Sequence, residues 1–409
     1  MRWTIGALIF AATTMNLVDR QVLGILASDL QRQFGWNEIE YGYIVSAFQL
    51  TYALGMAIVG NIIDRIGTRL GYALSVILWS IVCAAHALVG NALGFGIARA
   101  FLGITEAGNF PAAIKATAEW FPLKERSFIA GFINAGSNMG VIVAALLVPF
   151  MALNYGWQSA FIVTGILGLM VGVLIWWYYR PPEQHKSISP QELAYIQADQ
   201  EIPAKIKWID LIKYRQLWVI VVMKFLVDPV WYFYLYWLPK YLDKVHGIPL
   251  GQLSLPLMTV YLMSDAGSIA GGWLPTRLMS KGMSLHRARK TTYLICAIAV
   301  WPMFFGAFYT QLWVAVLMVG LALAAQQAWS SNTFTLASDM FPKQAVAAAT
   351  GMGGMAGALG GFVFANIIGW VLENTGSYNV LFFYAASAHS ISFLVLMLMI
   401  PAIQKINLK

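Results

Sequence analysis

Apolar runs of about twenty residues recur along the chain from Trp3 to Ile400, each long enough to cross the hydrocarbon core of a bilayer as a helix. They fall at 3–27, 40–63, 70–90, 92–115, 127–151, 158–180, 216–239, 252–278, 290–308, 311–337, 345–371 and 378–400. The pattern predicts an all-α membrane protein of twelve transmembrane helices. Most connections are short. The exception, 181–215, is rich in charge, opens with Pro181-Pro182 and contains Pro190 and Pro203. It divides the chain into an N-terminal six-helix bundle (1–180), a cytoplasmic linker (181–215) and a C-terminal six-helix bundle (216–409). Within the linker, Ser189–Asp199 begins Ser-Pro-Gln-Glu, which predicts a short surface helix with Ser189 as N-cap and Pro190 in its first position.

The two halves resemble each other. Residues 119–140 read EWFPLKERSFIAGFINAGSNMG and residues 339–360 read DMFPKQAVAAATGMGGMAGALG. At an offset of 220, Glu119 meets Asp339, Phe121-Pro122 meets Phe341-Pro342, Gly131 meets Gly351, Gly140 meets Gly360 and Gly156 meets Gly376. At an offset of 212, Gly60-x3-Asp64-Arg65 meets Gly272-x3-Thr276-Arg277. These matches occupy equivalent places in the span order and predict pseudo-symmetric halves.

Composition agrees with the pattern. Hydrophobic residues make up 59% of the 409 and charged residues 11%, against roughly 25% charged in soluble domains. The formal charge is +8, but most of the 26 Lys and Arg fall on one side of the spans, among them Arg65, Arg69, Arg126, Lys186, Arg287 and Lys290, while Arg32, Lys240 and Lys244 fall on the other. That asymmetry places both termini in the cytoplasm and leaves no basic excess for nucleic acid. The two cysteines, Cys83 and Cys296, lie in separate spans, where they read as small buried hydrophobes without metal or disulfide. The first run carries Asp19 and Arg20, so it reads as a span and not as a cleavable leader.

The charges left inside the spans carry the chemistry. Asp19, Arg20, Arg99, Glu106, Lys224, Asp228 and Asp265 lie there. Each ionised side chain near the midplane costs about 2.5–3.5 kcal/mol on insertion scales, so such groups face a bundle interior or a watery cavity and usually pair. Arg99 and Glu106 are seven apart and share a helix face, with Gly103 between them leaving room for a ligand or a neighbouring helix. Asp19 and Arg20, about 100° apart, address different partners while bordering one cavity. Spans one and four are therefore expected to face a shared cavity. A substrate carboxylate is best held by the forked donors of arginine, here Arg20 and Arg99. A carboxyl group in low dielectric holds its proton near neutrality, which makes Asp19 and Glu106 the proton carriers. The same four residues also read as two acid–base pairs that hold helices together.

Lys224 and Asp228 form an i,i+4 pair, structural or gating. Asp265 serves a helix contact or function, and the lone His86 and His389 read as buried. Trp237 and Tyr241 suit an outer interfacial anchor, with Tyr232 left open as a cavity residue. Gln49 and Tyr52 on span two, Asn134, Ser137 and Asn138 on span five, and Gln326, Trp329 and Asn332 on span ten supply neutral polar groups for hydroxyls, with Trp329 able to pack on a sugar ring. Each of these serves interhelical hydrogen bonding equally well.

Gly60-Asn-Ile-Ile-Asp64-Arg65-Ile-Gly67-Thr-Arg69 resembles the G-x3-D-R-x-G-x-R signature of the major facilitator superfamily. The resemblance implies that fold, two six-helix halves of inverted three-helix repeats, with Asp64, Arg65 and Arg69 forming a cytoplasmic latch. Gly67 suits the tight turn. In the second copy Thr276 stands where Asp is expected. Asn16–Leu23, Arg99–Ala112, the WFP-x2-ER loop and Asp228–Leu242 resemble the anion:cation symporter branch. Asp228–Leu242, with Gln326–Asn332 and Ser338–Lys343, is similar to its hexuronate and sugar-acid transporters. In that branch the Asp of the D-R pair and the Glu of the span-four motif carry protons, arginine holds the substrate carboxylate, and Tyr52, Ser137 and the span-ten group fall near substrate positions. The branch's tyrosine two residues before the D-R pair is Leu17 here, so that contact is not carried over. Some relatives have glutamine at the Ser137 position.

The resulting expectation is a monomeric bacterial inner-membrane importer, in contact with lipid, that takes up a sugar-acid monocarboxylate with protons by alternating access, without cofactor or metal. Sodium-coupled uptake or anion exchange is the alternative within transporters. A membrane enzyme would need a nucleophile–base or metal constellation, and a receptor would normally carry a soluble output domain; the sequence displays neither.

Overall fold

The computed structural model describes residues 1–185, 187–198, 208–308 and 311–406. Lys186, Asp199 and Pro203 of the expected linker lie outside the described residues. Among the described residues all regular structure is helical, with no strand. The helices are α1 (Arg2–Phe34), α2 (Glu38–Ile66), α3 (Thr68–Ala85), α4 (Ala92–Glu106), α5 (Asn109–Trp120), α6 (Leu123–Tyr155), α7 (Trp157–Tyr178), α8 (Pro190–Gln197), α9 (Trp208–Leu211), α10 (Arg215–His246), α11 (Ser254–Ser280), α12 (Leu285–Ala299), α13 (Leu312–Met340), α14 (Lys343–Thr375) and α15 (Asn379–Met399).

Eight of these, α2, α3, α6, α7, α10, α13, α14 and α15, are by themselves long and apolar enough to cross a membrane. The other four expected spans correspond to α1, α4 with α5, α11, and α12 with the 3₁₀ segment Trp301–Phe308. Each contains something that dilutes or interrupts the apolar run. Span four, expected to be continuous over 92–115, breaks at Ala107–Gly108. Pro111 explains the break: its ring clashes with a helical carbonyl four residues back, at Ala107, but is tolerated in the first turn of a new helix. Pro302 likewise ends the regular part of span nine.

The chain divides into two compact units, one of residues 1–35 and 47–202, the other of 36–46 and 203–409. In the first, α1 packs along α6, α7 and α5, and α3 along α7 and α4. In the second, α10 packs along α14 and α15, and α11 along α13. The duplication is visible in these contacts. A Cβ at Gly140 of α6 would lie 2.4 Å from the Thr14 carbonyl oxygen of α1, and one at Gly360 of α14 would lie 2.2 Å from the Phe225 carbonyl oxygen of α10. The paired glycines thus let equivalent helices approach to backbone contact in each unit.

Trp36–Ser46, the start of α2, belongs to the second unit. Glu38 there accepts hydrogen bonds from Lys240 and, at 2.6 Å, from Lys244, and its N–H donates to Glu373 at 2.8 Å. The two lysines that the charge pattern set apart from the others therefore share one carboxylate.

In the first unit, α8 is the surface helix expected from Ser-Pro-Gln-Glu. The Ser189 hydroxyl caps it by accepting from the Glu192 N–H at 3.1 Å, with Pro190 in the first turn. Glu192 accepts from the Arg2 N–H (3.1 Å) and guanidinium (3.2 Å), and Glu125 from Arg2 Nε (3.0 Å) and the Tyr195 hydroxyl (2.8 Å). Burial pushes the Glu192 carboxyl up, but the hydrogen bonds from Arg2 and the terminal amino group outweigh it and leave the group below its ordinary range. A depressed carboxyl stabilises the fold above its unfolded pKa, and that stability is lost as pH falls through the folded value. Glu192→Gln removes the charge at neutral pH and is expected to cost about 1–2 kcal/mol locally. The check is amide hydrogen exchange over residues 190–198, which should quicken about tenfold.

Candidate functional site

A cavity of about 140 Å³ lies within the first unit. Its wall is built from helix faces. Thr13, Asn16, Leu17 and Arg20 follow the i, i+3, i+4, i+7 arc of α1, Asn109, Phe110 and Ala113 come from α5, Ile133, Asn134 and Ser137 from α6, and Tyr52 from α2. Among these lining residues Arg20 is the sole charge, so the wall offers one cation amid amides, hydroxyls and apolar surface.

Arg20 links this wall to a buried carboxylate. Its Nε donates to Glu106 Oε2 at 2.5 Å, and Glu106 at the end of α4 is 0% exposed. The guanidinium sits 4.4 Å from the Tyr52 ring centroid and 5.0 Å from that of Phe48, and these two rings are stacked on each other at 5.6 Å. The pair fixes the plane of the fork as well as its charge. Asn16, one turn before Arg20, stands beside Glu106.

The remaining two of the four central charges lie off the wall. Arg99 is fully buried, with both terminal nitrogens 3.5 Å from the Arg20 carbonyl oxygen, and its Nε has no partner among the described residues. Arg99, expected as a second carboxylate ligand, is not part of this cavity's wall and lies behind α1. Asp19 points the other way from Arg20, as a 100° step requires, and accepts from Cys83 Sγ at 3.3 Å between α3 and α7. Arg99 is within electrostatic reach of both carboxylates. The four groups thus form a formally neutral cluster in which only Arg20 touches the cavity.

Gly103 resolves to the helix-contact alternative. A Cβ there would lie 2.3 Å from Thr51 Oγ1 and 2.4 Å from the Phe48 carbonyl oxygen, so α2 lies directly against α4. Gly103→Val is expected to destabilise the first unit by about 1–3 kcal/mol through overpacking, read as a lowered melting temperature of the purified protein.

The other expected site residues separate into two groups. Tyr52, Asn134 and Ser137 line the cavity, whereas Asn138 does not join its wall. The span-ten group is engaged within the second unit. Gln326 Nε2 donates to the Val227 carbonyl at 3.3 Å. Asn332 donates to the Gly271 and Ala328 carbonyls and accepts from Arg289 at 2.9 Å. Trp329 packs edge-on against Tyr293 and His389. These contacts are those of the interhelical alternative. Lys224 and Asp228 are paired at 2.7 Å, as their spacing implied.

In the loop expected to form a latch, Gly67 has the positive φ of 86° that its turn requires. Asp64, however, pairs with Lys115 of α5 at 2.9 Å, and Arg69 donates to the Trp176 carbonyl and stacks on that ring. The cation for Asp64 comes from a position that the motif did not supply. Sequence reasoning also missed Thr13, Asn16, Asn109 and Phe110. For Thr13 and Asn16 the signal was present, as they lie seven and four residues before Arg20 on one helical arc. Leu17, set aside for lacking a tyrosine hydroxyl, is an apolar part of the same wall.

The Major Facilitator Superfamily profile matches residues 9–365. The chain belongs to this superfamily. Among curated proteins, the chain is 32% identical over 384 residues to the hexuronate transporter of Escherichia coli (strain K12), covering 92% of this chain and 89% of that one. It is 32% identical over 281 residues to the galacturonate transporter of Dickeya chrysanthemi, covering 67% and 81%. Among solved structures, the D-xylose–proton symporter superposes with a TM-score of 0.78 at 16% identity, covering 98% of each chain, a likeness of fold. As a member of the superfamily, the protein is a multi-pass membrane transporter and not an enzyme. Within that fold, the helices that wall the cavity come from spans one, two, four and five.

Proposed function

We propose that the protein imports a sugar-acid monocarboxylate, a hexuronate or related aldonate, by proton symport. The observation that carries this reading is the Arg20–Glu106 pair: a guanidinium on the cavity wall whose Nε is held at 2.5 Å by a carboxylate shut away from solvent. An incoming carboxylate is a competitor for Arg20. As Arg20 turns its charge towards the substrate, Glu106 is left in low dielectric with less compensation, and it takes a proton. The neutral cluster accepts one anion and one proton without net charge, which links the two cargoes thermodynamically. If Asp19 is loaded as well, two protons accompany one monoanion. Import then carries net positive charge, and an inside-negative potential drives it by about 2.3 kcal/mol per charge per 100 mV. The single cation on the wall favours a monocarboxylate over a dicarboxylate. Asn134, Ser137, Thr13 and Tyr52 are hydroxyl partners.

Three further elements belong to this proposal: termini in the cytoplasm of an inner membrane, following the basic asymmetry; alternating access of the cavity to the two sides; and Asp64, Arg65 and Arg69, with Lys115, as a cytoplasmic latch. The names of the curated relatives support the substrate class. The test is counterflow in proteoliposomes against D-galacturonate, D-glucuronate, galactonate and galactarate, followed by uptake under separate pH and sodium gradients. Exchange of the monocarboxylates and accumulation with a pH gradient alone support the reading. Accumulation that requires sodium, or exchange confined to galactarate, overturns it.

A further inference from the structure

Asn109 lies on the cavity wall at the start of α5, three residues after Glu106. Its side chain does not simply border the space. The Tyr72 hydroxyl of α3 donates to Asn109 Oδ1 at 3.0 Å, and Tyr72 is itself 1% exposed and stands beside Thr13. A phenol that donates to the amide oxygen fixes which end of the amide faces which way. With Oδ1 held by α3, the Nδ2 donor is the end left to address the cavity. A buried tyrosine hydroxyl is costly unless it bonds, so the orientation of Asn109 is built into the packing of α3 against α5.

The position along the site gives this donor a target. Glu106 marks the level at which Arg20 meets a carboxylate, and Asn109 opens α5 just beyond the break at Ala107–Gly108. Arg20 and Asn109 line one cavity, so a substrate whose carboxylate docks on Arg20 presents its hydroxyls to the same wall. We propose that Asn109 determines specificity for the hydroxyl pattern of the sugar acid, its Nδ2 donating to one hydroxyl oxygen, and that Tyr72 is the residue that positions it. This rests on the sugar-acid reading above and adds a discriminating contact to it. A site built to hydrogen-bond a hydroxyl rejects the analogue that lacks it, because the buried donor is then left unpaired.

The experiment measures KM and maximal counterflow rate of the full-length protein in proteoliposomes for D-galacturonate, its C4 epimer D-glucuronate, and the 2-, 3- and 4-deoxy analogues. The parent is compared with Asn109→Ala, Asn109→Ser and Tyr72→Phe. In Asn109→Ala, KM for galacturonate should rise about tenfold, while KM for one deoxy analogue stays unchanged because the contact is already missing. Tyr72→Phe should flatten the parent's preference among the same compounds by about three- to tenfold, with maximal rate nearly preserved. Asn109→Ser, smaller but still polar, should fall between parent and alanine variant. If all compounds lose equally in every variant, or the parent's ranking survives in all three, Asn109 does not read a hydroxyl and this inference is overturned while the sugar-acid reading stands. If the parent exchanges none of the compounds, the sugar-acid reading itself fails.

Discussion

Arg20→Ala is expected to abolish sugar-acid uptake and to lower substrate affinity by about a hundredfold or more, the range lost when one member of a buried charged pair is truncated. Two effects combine. The cavity wall loses its cation, so the substrate carboxylate has no forked donor. Glu106, 0% exposed, also loses its 2.5 Å partner, and an uncompensated buried charge costs about 3–5 kcal/mol. The second effect lowers stability as well, and the two are separable. Arg20→Leu combined with Glu106→Gln removes both charges and should recover a parent-like melting temperature while still failing to bind. Arg20→Lys should fall between, since it keeps the charge but not the fork or its stacking on Tyr52. Equilibrium binding with labelled D-galacturonate, measured beside the melting temperature, decides each case. Parent-like binding by Arg20→Ala would remove the carboxylate site from this wall.

Glu106→Gln is expected to separate exchange from accumulation. The amide preserves shape, and its oxygen still accepts from Arg20 Nε, so the guanidinium stays in place over Phe48 and Tyr52. The group no longer gains or loses a proton. Counterflow should therefore persist within about tenfold of the parent, a loss of the size of one hydrogen bond, while a pH gradient no longer concentrates substrate. Exchange should also lose its dependence on pH. Uptake assays that run both modes on one proteoliposome preparation measure the difference directly. A variant that still concentrates substrate under a pH gradient would place the coupling proton elsewhere, with Asp19 the next carboxylate of the cluster.

Much of this arrangement was legible in the chain because the membrane makes charge conspicuous. Asp19, Arg20, Arg99 and Glu106 stood out as ionised groups in apolar runs, and the structure does gather them into one cluster. What the sequence did not settle was the role each takes within it. Arg20 and Arg99 are the same residue type in equally apolar surroundings; only packing shows that one reaches the cavity and the other lies behind α1. Adjacent Asp19 and Arg20 had to diverge, and periodicity said so, but not that Asp19 would end beside Cys83. The break between α4 and α5 was written in Pro111, yet the apolar run across it read as continuous.

Neutral polar residues were the least legible. Trp329 and Asn332 sit on a regular arc of α13 and read equally as sugar contacts or interhelical contacts; in the second unit Trp329 packs against Tyr293 and His389, and Asn332 bonds to Gly271 and Arg289. Within an apolar span, a hydroxyl or amide meets another helix and a ligand with the same chemistry. Conversely, Asn16 and Asn109 drew no attention because an amide in an apolar span reads as an ordinary interhelical contact. The helix face that carries Arg20 would have pointed to Asn16, four residues before it, whereas Asn109 lies beyond the break after Glu106 and opens a new helix.

The competition between a substrate carboxylate and Glu106 for Arg20 is tested most directly by counting protons on binding. D-Galacturonate is added to purified protein in a lightly buffered, sodium-free solution, and the pH change is followed through the neutral and alkaline range. Binding should take up protons and make the solution more alkaline, and Glu106→Gln should abolish or sharply reduce that signal while still binding the sugar acid. Binding by the parent with no proton uptake at any pH in the range, or undiminished uptake in Glu106→Gln, would contradict it.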